Sequence, residues 1–201
     1  MDNMGLNLST IHFNDWLYSI EESEGINIEI LKKELKEKLG KLPQDDSVTI
    51  DNEFPRVGSY TAYGIFRYCL IYLSFGDYND ELTEDDDYEL IALQEFKKYL
   101  KPMSAPIKYV EHFTETDDCD TIFLPILFDK PFIFYDRNVA SLPASKKVLE
   151  VLAEIIGFDL FSEFDAEYQD DRWIPIATVK NVARIIYKFF HKHSNICVIF
   201  S

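Results

Sequence analysis

The chain has 201 residues, 36 of them acidic and 20 basic, for a formal net charge of −16. A hydrophobic fraction of 47% with 15% aromatic residues supplies enough core-forming side chains to bury a sizeable interior, which excludes wholesale disorder. The charge argues against direct contact with a nucleic-acid backbone, which needs a basic surface, and against adhesion to an anionic membrane.

In chain order, Asn14 or Asp15 is placed to cap a short helix through Trp16, Leu17 and Ile20, broken at Gly25. Asn27 then caps an amphipathic helix whose inward positions are Ile28, Leu31, Leu35 and Leu39; Gly40 ends it. A polar stretch from Pro43 to Pro55 holds one short strand candidate, Val48 to Ile50. The segment from about Tyr60 to Phe75 is apolar on several faces and predicts a central buried helix, with Arg67 as its only charge. A further helix is predicted from about Tyr88 to Lys101, stopped by Pro102 and Pro106.

The middle of the chain changes character. Ile107 to Val110, Thr121 to Phe128 and Pro131 to Tyr135 are rich in Ile, Phe and Tyr and predict strands, with Asp129-Lys130-Pro131 as the turn between the last two. Pro125 within its run predicts an edge strand, a bulge or a break. Helices from Leu142 and Pro143 to about Ile156, closed by Gly157, and from about Ile176 to His191 follow, and a strand from Ile196 to Phe200 comes last. These elements predict an α+β fold: a single, mainly helical domain with a small mixed sheet drawn from the middle and C-terminal segments. Residues 1–50 read as a loosely attached helical lobe on an α+β core domain of 51–201.

Cys69, Cys119 and Cys197 are odd in number and widely spaced, so they form neither a disulfide framework nor a zinc or redox motif. The N-terminus is too polar for a signal peptide. A cytoplasmic protein with reduced thiols, and with no cofactor, is expected. There is no phosphate-binding glycine loop, dinucleotide fingerprint or nucleophile elbow, which weighs against an enzyme.

The acids are clustered. One run between Asp77 and Glu89 contains Asp77, Asp85, Asp86 and Asp87 with Tyr78 and Tyr88; a second between Asp159 and Asp171 contains Asp170 and Asp171 with Tyr168 and, just beyond, Trp173. Neither meets the EF-hand spacing, because the positions requiring Gly and Glu hold other residues. In a third run, 111–120, His112 with Asp117 or Asp120 offers the residue types of a divalent-metal site but no recognised ligand spacing. Lys180, Arg184, Lys188 and Lys192 recur every four residues and form one stripe on the last helix, expected to pair with the protein's own acids. Arg67 is expected to meet a carboxylate or carbonyls. His191 and His193 suit a helix C-terminus.

The pieces Ser59-Tyr60 and Phe66-Arg67, His112 with Asp117 to Asp120, Leu124-Pro125 with Phe128, and Val139-Ala140-Ser141 resemble a group of uncharacterised bacterial proteins over residues 54 to 200. The chain departs from that pattern at Asp120-Thr121-Ile122, where a glycine and an aromatic are expected, and the resemblance implies no activity.

Two functional classes remain. The first is an acidic binding module, an inhibitor or immunity-type partner of a basic protein such as a nuclease toxin. Its contact residues would be Asp77, Tyr78, Asp85, Asp86, Asp87, Tyr168, Asp170, Asp171 and Trp173. The alternative is a metal-assisted hydrolase using His112, Asp117 and Asp120. A structural subunit is a third reading that no sequence feature favours.

Overall fold

The computed structural model describes residues 5–44, 55–76, 87–116, 120–163 and 174–200, with only the backbone of 87–89. The chain runs β1 (Gly5–Ile11), α1 (Phe13–Glu24), α2 (Ile28–Leu39), β2 (Arg56–Ser59), α3 (Tyr60–Phe75), α4 (Asp87–Tyr99) and α5 (Glu111–Thr114). It continues through β3 (Thr121–Leu124), β4 (Phe132–Phe134), β5 (Arg137–Ser141), α6 (Leu142–Ile156), α7 (Pro175–Lys192) and β6 (Cys197–Phe200). The expected α+β class is observed, as one domain with a six-stranded mixed sheet. No described helix is long and apolar enough to cross a membrane.

The strand order is β2-β1-β6-β3-β5-β4; β3 and β5 are parallel and every other neighbouring pair is antiparallel. Successive strand side chains turn to opposite faces, and both faces are buried. Leu6, Leu8, Phe123, Ala140, Val198 and Phe200 join the larger core with α3, α4, α6 and α7, whereas Ile122, Leu124, Val139 and Cys197 pack with α1 and α2. The sheet therefore lies between two helical layers. In the larger core the Phe123 ring lies 4.9 Å from both Phe190 and Phe200, and Tyr63 meets Phe200 at 5.3 Å.

The expected cap at Asn27 is observed, and Ser59 and Ser141, which the sequence reading does not name as caps, cap α3 and α6. The Asn27 side chain accepts from Glu29 N, Ser59 from Ala62 N and Ser141 from Ala144 N; Gly25, Gly40 and Gly157 take left-handed conformations at C-termini. The first helix differs in detail: its N-cap is His12, with no side-chain capping bond.

The strands depart further from the sequence reading. Residues 1–50 do not form a loose lobe, because β1 is hydrogen-bonded between β2 and β6, and α1 and α2 cover one face of the sheet. Ile107–Val110 is a turn leading into α5 rather than a strand, with Tyr109 at φ 72°. β3 stops before Pro125, which has no N–H to continue the ladder. The run Pro131 to Tyr135 pairs with β5, not with β3. Its hairpin turn is Tyr135-Asp136, both at positive φ as a type I′ turn requires. The candidate strand Val48 to Ile50 lies outside the described residues.

Candidate functional site

His112, the residue most suggestive of chemistry, sits on the one-turn helix α5 and is fully buried. Its Nδ1 accepts the main-chain N–H of Ser141 at 3.2 Å, and Nε2 lies 3.2 Å from the Phe128 carbonyl oxygen. An Nδ1 that accepts a hydrogen bond cannot also carry a proton, so the ring proton is on Nε2, which donates a hydrogen bond to the Phe128 carbonyl. Burial pushes the imidazole pKa from 6.5 down to about 4; the bond to Phe128 and the carboxylates of Glu111 and Asp129 only partly offset it. The ring packs edge-on to Phe128 at 5.3 Å and near Tyr109 at 6.2 Å.

Ser141 extends this node. Its hydroxyl donates to the Ile126 carbonyl at 2.7 Å while accepting from Ala144 N at the start of α6, and Ser145 Oγ donates to the Ser141 carbonyl at 2.8 Å. Main-chain groups from the β3–β4 connection, the end of β5 and the start of α6 thus converge on two side chains. The arrangement can hold three elements together; it leaves no imidazole lone pair facing outward for a metal or a proton transfer.

The other expected metal ligands do not complete a site around it. Asp120 pairs with Arg137 at 3.6 Å, and Asp117 lies outside the described residues. Among the described residues no three His, Cys, Asp or Glu side chains are grouped to hold a metal. The sequence reading missed Ser141 and Arg137 as partners of His112 and Asp120. The hydroxyl before Leu142-Pro143 does carry an N-cap signal, whereas nothing local to Arg137 points to Asp120.

The basic features are internal clamps. Arg184, 3% exposed, donates from Nε to the Asp159 carbonyl and from Nη1 to Asn181 Oδ1, both at 3.1 Å, and lies over the Phe158 ring. Lys188 Nζ donates to the Ser162 carbonyl at 2.8 Å. These bonds go to main-chain or amide oxygens. Arg67 Nη2 likewise donates to the Thr114 carbonyl at 3.0 Å. His191 packs against Phe161 and Tyr187, and His193 caps α7 with its N–H on Phe189 O. Cys69 is buried, which raises its thiol pKa and keeps it from acting as a thiolate.

Of the residues read as a partner surface, Asp77, Tyr78, Asp85, Asp86, Tyr168, Asp170, Asp171 and Trp173 lie outside the described residues, and Asp87 is the first residue of α4. Their distribution along the chain is nevertheless informative. Fourteen of the 36 acidic residues fall in the runs 77–89 and 159–171, which contain no basic residue. The last turn of α3 meets α4 through Tyr72, whose hydroxyl donates to the Leu100 carbonyl and whose ring stacks on Phe96. Glu95 on the same helix accepts the N–H of Ile176 in the first turn of α7 at 3.3 Å.

No protein-family model matches the chain, and no match was found among curated proteins or solved structures.

Proposed function

We propose that the protein is an acidic protein-binding module, an inhibitor or immunity-type partner of a basic protein such as a nuclease toxin. The observation that carries this reading is the concentration of acid along the sequence: 14 of the 36 acidic residues, and no basic one, fall in the two runs 77–89 and 159–171. An excess of charge serving only to repel other molecules would work equally well spread over the whole surface. Dense carboxylates in a few runs instead raise the association rate with a cationic partner, and the aromatic residues among them, Tyr78, Tyr168 and Trp173, are the types that anchor an interface once water is expelled.

The test is capture of basic proteins encoded beside this gene by the immobilised full chain, with association rates measured at low and high salt. Binding that slows steeply with salt, and that falls at least tenfold when Asp85, Asp86, Asp170 and Asp171 are changed to Asn, supports the reading. Absence of any such partner, or binding insensitive to those changes, sinks it.

A further inference from the structure

Between α1 and the sheet lies a cleft of about 190 Å³. Its walls include Ile11, Ile199 and Ile122, one from each of the adjacent strands β1, β6 and β3, together with Trp16 and Ser19 of α1. Two charged side chains complete the lining, Asp120 and Arg137, with Arg137 Nη1 3.6 Å from Asp120 Oδ2. Asp120 is fixed by its own main chain: φ is 63° and its N–H donates to the Phe200 carbonyl at 3.0 Å.

The chemistry of this lining restricts what fits. One carboxylate, one guanidinium and the Ser19 hydroxyl stand beside the side chains of three isoleucines and Trp16, so the cleft is neutral overall, with polar and apolar lining in near-equal share. A phosphate would face the Asp120 carboxylate, and a metal ion would face the Arg137 guanidinium; each meets one repulsive charge. A zwitterion meets none. The Asp120 and Arg137 side chains are 67% and 36% exposed, so their mutual attraction is weak and exchanging it for contacts to a ligand costs little. The volume is below the roughly 300 Å³ at which pockets for drug-sized ligands begin, which sets the guest at the size of a single amino acid.

We propose that this cleft binds a free α-amino acid with a branched aliphatic side chain. Arg137 takes the carboxylate, for which the guanidinium fork is the matching donor, Asp120 takes the ammonium group, and the side chain lies against Ile122, Ile199 and Trp16. The site lies between α1 and the sheet and does not rest on the partner reading above.

The experiment is calorimetric titration of the full chain with L-leucine, with L-leucinamide, which lacks the carboxylate, and with N-acetyl-L-leucine, which lacks the ammonium group. The expected result is saturable one-to-one binding of L-leucine, weakened at least tenfold by either modification and by Arg137→Gln. Ser19→Phe, a change at an exposed position that fills the cleft from outside, abolishes binding while the circular dichroism spectrum is retained. Absence of saturable binding up to concentrations on the order of 10 mM overturns the proposal. Equal affinity for the three ligands, or undiminished binding by Arg137→Gln or Ser19→Phe, overturns it as well.

Discussion

The main-chain N–H of Ser141 donates to Nδ1 of His112 across 3.2 Å, which makes a buried imidazole the acceptor for the residue that caps α6. Protonating that ring would set two donors face to face. The fold therefore depends on His112 remaining neutral, and its pKa of about 4 shows the same preference.

This gives a pH dependence with a defined sign. The unfolded chain protonates His112 near 6.5 and the folded chain only near 4, so the unfolded state binds the extra proton between these values. The stability contribution is complete above 6.5, declines as pH falls toward 4 and is constant below, for a loss of about 3 kcal/mol. Urea denaturation at a series of pH values measures it. His112→Gln, less stable at pH 7, should show a shallower decline than the parent over that interval; equal slopes would refute the assignment.

Ser141→Ala removes both the cap on α6 and the bond to the Ile126 carbonyl. A loss of about 1–3 kcal/mol is expected, more than for an exposed cap because the abandoned carbonyl is buried in the node. Thermal denaturation checks it, with Ser141→Thr, which keeps the hydroxyl, as the comparison.

Phe123 touches Phe113, Phe190 and Phe200 with no exposure, whereas Ile133 on the edge strand β4 is 69% exposed. Phe123→Ala should cost about 3–5 kcal/mol. Ile133→Ala should stay within about 0.5 kcal/mol. Denaturant midpoints of the two variants separate the outcomes.

A chain restricted to residues 51–201 lacks β1, which pairs with both β2 and β6, and lacks the two helices that cover Ile122, Leu124 and Val139. It should show no cooperative unfolding transition. Cooperative melting of that fragment would restore the picture of a separable N-terminal lobe.

The helices were legible because their signals are local. Ser59, Asn27 and Ser141 stand where a cap is needed, Gly40 and Gly157 where a left-handed residue is needed, and the apolar spacing of α7 marks its buried face. Strand pairing is not local. β1 is absent from the sequence reading: the alternation Leu6-Asn7-Leu8-Ser9 is short, and nothing in it names β6 as its neighbour. Ile107 to Val110 has strand-like composition, yet Tyr109 takes a left-handed conformation and the chain turns into α5. For the same reason His112 was identifiable as unusual while its role was not: its partners, Phe128 and Ser141, lie 16 and 29 residues away.

The pairing of β1 with β6 also governs when the protein can fold. Leu8 is opposite Phe200, so two neighbouring interior strands come from distant parts of the chain, and β3 is joined to β1 only through β6. During synthesis β1 emerges before β6 and stays unpaired on its β6 side until Cys197–Phe200 has left the ribosome. The helices can form as they appear, but closing the sheet waits for that strand, and contacts of such long sequence separation are slow to form. A nascent chain halted before Cys197 would expose the alternating apolar face of β1 to any passing strand, which makes it the most aggregation-prone stage in the life of this molecule.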